Sequence, residues 1–365
     1  MPDPAYAPAL AASVIVQQFY ARQTAAQVPD PRTVSAVVNA AFWASLRREE
    51  GRSPRISVAM VPPAMTGQPM TFLRPLALDA DVLVRLGPAV EGPGIHLGAW
   101  PAEDGRLRIW GAARDLPDLC LVAEVVEPGL LVLKYQRQRD QKFGNLAVLR
   151  GDQVRVVEEG DGVMPGRPAL LAALLGTDSI IPWTDGGSLF TQLAVSMRRH
   201  GHGASLLVVP SGTEAWRESI AQPAAYLLGP PFRALTEGLE RPEHGDDGDE
   251  VRALVDAIAG LTAVDGAAIL THRFELLAFG ATIRRREGCP PAETVIVTEP
   301  VVGDVPIRRA ATELGGTRHL SAAQFVHDQR DALAFVASQD GRFTVFAWSP
   351  AKQMVHGHRI EVLLL

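Results

Sequence analysis

Two short segments carry the residue types that chemistry needs. The first is Val264-Asp265-Gly266-Ala267-Ala268-Ile269-Leu270. A carboxylate heads a fully apolar run, and the glycine behind it lets another group approach the backbone. Such an Asp is either a turn residue capping the preceding segment or a group that binds a divalent cation or takes a proton from a hydroxyl. The second segment is Gly315-Gly316-Thr317-Arg318-His319-Leu320-Ser321-Ala322-Ala323. Two glycines, a hydroxyl, a guanidinium and an imidazole lead into a helical pattern. The free N–H groups and positive end of a helix favour an anion there, and an Arg can hold phosphate oxygens in a bidentate fork. The same residues also fit an ordinary glycine turn with a Ser/Thr cap.

Other short motifs are missing. The chain has no Walker-type loop, no dinucleotide fingerprint, no His-Glu-x-x-His and no Gly-x-Ser-x-Gly elbow. His200 and His202 are two apart, as are His356 and His358. On a strand such a pair shares a face and can share a metal. Without nearby Cys or carboxylates both pairs are read as exposed loop or terminal histidines. Residues 236–250 carry Glu237, Glu240, Glu243, Asp246, Asp247, Asp249 and Glu250 against Arg241 alone, which reads as a solvated acidic loop.

The two chemical segments need elements to hold them. Helical spacing appears over 188–199, 250–261 and 318–329. Strand patterns appear over Ala204–Val209, Gly266–Leu270, Leu276–Ala281, Ala332–Ala337 and Phe343–Trp348. That alternation predicts an α/β layer sheet with some antiparallel pairs. The first half has a different texture. An Ala-rich helix over 8–22 precedes a second helix with Asp30 as N-cap, Pro31 in its first turn and Gly51 at its close. Val34, Val37, Val38, Ala41, Phe42 and Ser45 form its buried face. Short strands follow at Ile56–Val61, Val82–Leu86, Leu107–Trp110, Leu119–Val126, Leu130–Lys134, Leu146–Leu149 and Val154–Val157, the last two joined by a Gly151-Asp152 hairpin turn. Gly160-Asp161-Gly162 and Pro165-Gly166 then mark a boundary. The expectation is a smaller α+β, β-rich domain over 1–165 and an α/β domain over 166–365.

Composition fits two globular domains. The chain has 365 residues, 47% hydrophobic and 21% charged, with a net charge of −6. A mildly acidic chain has no general field for nucleic acid or anionic lipid, so any polyanion must be held by a local site. No run reaches the roughly 18 apolar residues of a membrane helix. The Met-Pro-Asp-Pro start lacks the positive charge of a secretory signal. Cys120 and Cys289 make neither a disulfide framework nor a metal spacing. A cytoplasmic protein with no nucleic-acid or membrane partner is expected.

Taken in order, four marks in the second half resemble the diadenylate cyclase (DisA N-terminal) domain. They are Gly203-Ala204 leading an apolar strand, Asp265-Gly266-Ala267 opening another, Gly316-Thr317-Arg318-His319 opening a helix, and a late strand ending in Ser338-Gln339. The resemblance spans about 190 to 365. It implies a mixed-sheet nucleotide-binding domain that holds ATP with Mg²⁺ or Mn²⁺. Two such domains face each other in a homodimer or higher homo-oligomer, and two ATP become cyclic di-AMP and pyrophosphate. By the same resemblance Asp265, Arg318 and His319 are the catalytic residues, and Asp265 and His319 the metal ligands. Gly203, Ala204, Gly266, Ala267, Gly316, Thr317, Leu320 and Ser338 would line the nucleotide.

Two positions depart from the family pattern. Leu320 stands where the family has a second Arg, and Gln339 where it commonly has an acid. Arg284-Arg285-Arg286 is the nearest run of cations that could replace the missing charge. The alternative reading is a cyclase-like domain of low or no activity that serves as a nucleotide-binding sensor. Residues 1–165 carry none of these marks and are taken, by analogy with the domains commonly attached to such cyclases, as a sensory or regulatory module.

Overall fold

The computed structural model describes residues 4–23, 25, 27–48, 53–91, 94–137, 143–157, 189–222, 224, 226–240 and 247–365. The chain divides into two compact units, Met1–Glu159 and Gly160–Leu364. The boundary expected at 160–166, and Gly51 as a helix stop, lie outside the described residues.

In the first unit, helices α1 (Pro8–Tyr20) and α2 (Pro31–Ser45) precede an eight-stranded sheet. Asp30 caps α2 as expected. Its carboxylate accepts the Arg32 and Thr33 backbone N–H groups, each at 2.8 Å. The strands are β1 (Ile56–Ala59), β2 (Met70–Ala77), β3 (His96–Pro101), β4 (Leu107–Ala113), β5 (Leu121–Glu127), β6 (Leu130–Gln136), β7 (Phe143–Arg150) and β8 (Gln153–Val156). Their order is β2-β4-β3-β1-β5-β6-β7-β8, antiparallel except for the central β1/β3 pair. Leu121, Ala123 and Val125 of β5 join the core with α1 and α2, whereas Val122 packs with Trp110 on the other face, the alternation a strand imposes.

One expected strand is a helix. Val82–Leu86 belongs to α3 (Ala80–Leu86), because Asp79 accepts the Val82 N–H at 2.8 Å and starts a helical turn. A five-residue apolar run has no period long enough to tell the two apart.

The second unit is a three-layer sandwich. Its helices are α4 (Leu189–Arg199), α5 (Ala234–Glu240), α6 (Asp247–Leu261) and α7 (Thr317–Asp328). Its strands are β9 (Ala204–Val209), β10 (Tyr226–Phe232), β11 (Ala267–Thr271), β12 (Leu276–Ala281), β13 (Thr294–Thr298), β14 (Ile307–Ala310), β15 (Leu333–Ala337), β16 (Phe343–Ser349) and β17 (Met354–Arg359). They form one sheet in the order β10-β12-β11-β9-β15-β16-β17-β13-β14, with β9/β11 and β13/β17 parallel. On one face Leu193 and Met197 of α4 and Val255 and Ile258 of α6 pack on Leu206, Val208 and Phe335. On the other, Ala322, Phe325 and Val326 of α7 pack on Leu207, Ile269 and Val336. Both units are mixed α/β with mixed sheets, the fold class the patterns predict.

His356 and His358 are not exposed loop residues. They lie on β17, 2% and 3% exposed, with rings stacked 3.9 Å apart. Each shares a hydrogen bond with the Thr298 hydroxyl at 3.0 Å. This strand escapes the apolar pattern because His356 and His358 are polar, each joined through one ring nitrogen to Thr298 of β13. Among the described residues no group of three or more His, Cys, Asp and Glu could hold a metal, and no helix is long and apolar enough to cross a membrane.

Candidate functional site

At one end of the second sheet the strands and a helix terminus enclose a cavity of about 560 Å³. The sheet contributes the starts of β9 and β11 and the ends of β12 and β15. Parallel pairing of β9 with β11, and antiparallel pairing of β9 with β15, bring Gly203, Gly266 and Ser338 to the same end. The N-terminus of α7 closes the other side. Gly316 is its N-cap and supplies no side-chain cap, so the Thr317 and Arg318 N–H groups are left to water or a ligand, while the His319 N–H donates to the Gly316 carbonyl at 3.0 Å.

Nine of the eleven expected site residues line this cavity: Gly203, Asp265, Gly266, Ala267, Gly316, Thr317, Arg318, His319 and Ser338. Gln339 lines it too. Ala204 and Leu320 do not. Strand alternation turns Ala204 to the α4/α6 face, where it is fully buried. Leu320 lies outside the cavity lining and, at 37% exposed, outside the core as well. The Arg284–Arg286 run is elsewhere as well. Arg286 pairs with Glu218 at 2.6 Å and lines a second cavity, of about 480 Å³, at the opposite end of α7.

Two glycines are required by close approach. Gly266 has φ +103°, and a Cβ there would fall 2.5 Å from the carbonyl carbon of Gly280. Only glycine lets β11 start this close to β12. A Cβ on Gly203 would sit 2.7 Å from a terminal nitrogen of Arg318, so the guanidinium lies directly on the glycine backbone. From that seat Arg318 reaches to 3.9 Å of the Asp265 carboxylate, whose side chain is fully exposed. This separation exceeds a hydrogen bond and leaves both carboxylate oxygens open to a ligand.

His319 is 4% exposed, and its ring meets Phe346 edge-on at 6.1 Å. Burial holds its pKa below the ordinary histidine value. The charges of Arg359 and Arg342 add to that, and Asp340 opposes it. The imidazole is therefore neutral near pH 7, the form that binds a metal or shares a single proton. Arg318 is the one full cation among the described lining residues.

Sequence reasoning missed Ser205, Ala281, Thr282, Ile283, Ser321, Val336 and Ala337, which also line the cavity. Two of these had a usable signal. Ser205 is two residues past Gly203 on one strand face, and Ser321 is four past Thr317 on one helix face. The others depend on sheet order, which no local pattern reveals.

Comparison with known proteins bears on the first unit. A family described as "Probable sensor domain DACNV" matches residues 23–114, a segment running from before α2 to just past β4. The match lies within the first unit, the part expected to be sensory or regulatory. No curated protein matches the chain. Among solved structures, a hypothetical membrane spanning protein from Bacillus cereus aligns at 15% identity and a TM-score of 0.29. The alignment covers 49% of this chain and 65% of that one, slightly under two thirds of its length. A TM-score that low carries no argument about fold or function.

Proposed function

We propose that the second unit is a nucleotidyltransferase of the diadenylate cyclase type, converting two ATP into cyclic di-AMP and two pyrophosphates. One observation carries this reading. Four segments scattered over about 140 residues, each matching one mark of that family, meet around a single cavity at a helix N-terminus.

The chemistry asks little covalent help of the protein. Each ATP presents its 3′-hydroxyl to the α-phosphorus of the other. A new O–P bond forms as the bond to pyrophosphate breaks, and two such steps release two pyrophosphates and two protons. Such transfers depend on alignment and charge neutralisation. The N–H groups at the start of α7 and the Arg318 guanidinium hold phosphate oxygens. Asp265 stands exposed on the wall, where it can orient a hydroxyl and take its proton. His319, neutral and buried, can donate or accept one hydrogen bond without adding charge.

The residues also fit a divalent cation. A hard ion such as Mg²⁺ is commonly held by one or two carboxylates plus substrate phosphates, and Asp265 offers two open oxygens beside the anion site. When bound, the ion would neutralise phosphate charge and favour the hydroxyl's deprotonation. Asp265 would hold it, with His319 as the second protein donor.

Among the described residues each chain offers one such cavity, and the product needs two nucleotides facing each other, so specific activity rises with protein concentration until a stable oligomer forms. The first unit, with its match to a sensor-domain family, would set this activity in response to a signal.

A second reading has its own observation. Arg318 is the lone cation on the cavity wall among the described residues, and neither Leu320 nor Arg284–Arg286 adds another. A site that holds one nucleotide without turnover would look the same. Incubating the full chain with labelled ATP and Mg²⁺ or Mn²⁺, then resolving the products, separates the two. Cyclic dinucleotide with pyrophosphate supports the cyclase. Bound but unaltered ATP selects the nucleotide sensor. Orthophosphate without dinucleotide overturns both.

A further inference from the structure

The cavity is polarised along its depth. Its mouth holds the exposed Asp265, the part-exposed Arg318 and the free N–H groups of α7. Its sheet floor is different. Ala267 and Val336, both on the α7 face, are at most 1% exposed and line the cavity. Among them stands one hydroxyl. Ser205 is 3% exposed, pairs in register with Val336, and lies on the α7 face by alternation from Leu207. Among the described residues no group hydrogen-bonds its side chain. A buried hydroxyl with nothing to bind costs free energy unless a ligand or water completes it. On the facing helix wall Ser321, one turn past Thr317, also has no side-chain partner among the described residues.

Charge decides what these hydroxyls meet. Among the described lining residues the only Asp, Glu, Lys or Arg side chains are Asp265 and Arg318, and both lie at the exposed mouth. A phosphate pushed onto this floor would lose water without gaining a counter-ion. A neutral polar ring would lie on the small flat side chains and keep its hydrogen bonds. Ser205 is two residues along β9 from the glycine under Arg318, about 6.6 Å, a reach that separates one group of a ligand from the next.

We propose that Ser205 is a specificity-determining residue that binds the heteroaromatic ring of the nucleotide, opposite Ser321, while Arg318 holds the phosphate end. The inference rests on the nucleotide reading above and adds the orientation of the ligand to it. Ser205 supplies one donor and one acceptor, so it favours rings that offer a polar edge to the floor.

Titration calorimetry on the full chain tests this with three probes: ATP, adenosine and tripolyphosphate. Ser205→Ala should weaken ATP and adenosine by the same factor, about fivefold, the scale of one neutral hydrogen bond. Tripolyphosphate affinity should stay at the parent value. Should the alanine variant fail to fold, Ser205→Cys keeps the size, weakens the hydrogen bond and gives the same comparison. Unchanged ATP affinity, or a loss shared by tripolyphosphate, overturns the role of Ser205 and leaves the nucleotide site standing. A full chain that binds none of the three overturns the nucleotide reading itself.

Discussion

Gly203→Ala is the sharpest probe of how the anion end is built. The glycine has ordinary backbone angles, so an alanine introduces no conformational strain. The new Cβ would lie 2.7 Å from a terminal nitrogen of Arg318 and 3.2 Å from its central carbon. Ordinary contact needs about 3.5 Å or more, so the guanidinium must retreat by about 1 Å. It can do so cheaply, because the Arg318 side chain is 41% exposed and flexible at its end. Folding stability should therefore hold, or rise by about 0.5 kcal/mol as the unfolded chain loses freedom. Phosphate binding should not hold. A guanidinium moved by 1 Å loses its charge-assisted hydrogen bonds, about 2 kcal/mol, or roughly thirtyfold in affinity for tripolyphosphate. Arg318→Ala should cost a similar amount. Combined, the two changes should cost no more than either alone, because both remove one interaction. Calorimetry on the two single variants and the double variant measures this. Additive losses, or parent affinity in Gly203→Ala, would refute the seating of Arg318 on Gly203 as the anion contact.

Other changes read the rest of the site. Asp265→Asn is nearly isosteric and exposed, so the fold should survive while dinucleotide formation drops at least a hundredfold; product formation at the parent rate would remove Asp265 from the chemistry. Leu320→Arg should change turnover by less than twofold, because position 320 lies outside the cavity. A gain of tenfold or more, about 1.4 kcal/mol, would place it on the phosphates. The buried His356 has its pKa pushed down to about 4, by burial against a smaller opposing effect of Asp304. The unfolded chain takes up that proton near pH 6.5, so stability falls as pH drops from about 6.5 to 4, by about 3 kcal/mol in all. In denaturant melts across that range His356→Gln should lose this part of the slope, and an unchanged slope would assign it to other groups.

Helix caps, buried helical faces and apolar runs are written locally, which is why the sequence alone shows α2 with Asp30, the run of α7, and strands β9, β11, β15 and β16. The chemical residues are legible for a related reason. Gly203, Asp265 and Arg318 serve backbone approach, charge and anion contact, which few residue types can do. Three of the strands that local patterns hide, β2, β10 and β14, end their sheets and are largely exposed, so they show no buried alternation, but the internal and buried β3 and β13 are hidden as well. Residues such as Val336 and Ile283 reach the cavity only through sheet order, a nonlocal property. Ala204 falls outside the cavity because a family mark names a position, while the pleat decides which face its side chain takes.

Those outer strands also limit how the molecule can grow. A free strand edge invites another chain to continue the sheet. On β10, Pro230 and Pro231 have no N–H to offer such a neighbour. On β14, the exposed Arg308 and Arg309 would bring like charges together if two copies paired edge to edge. The nine-stranded sheet is thus blunted at both ends. Two copies meeting edge to edge would find no continuous row of partners at either end, so open-ended stacking into fibres is disfavoured.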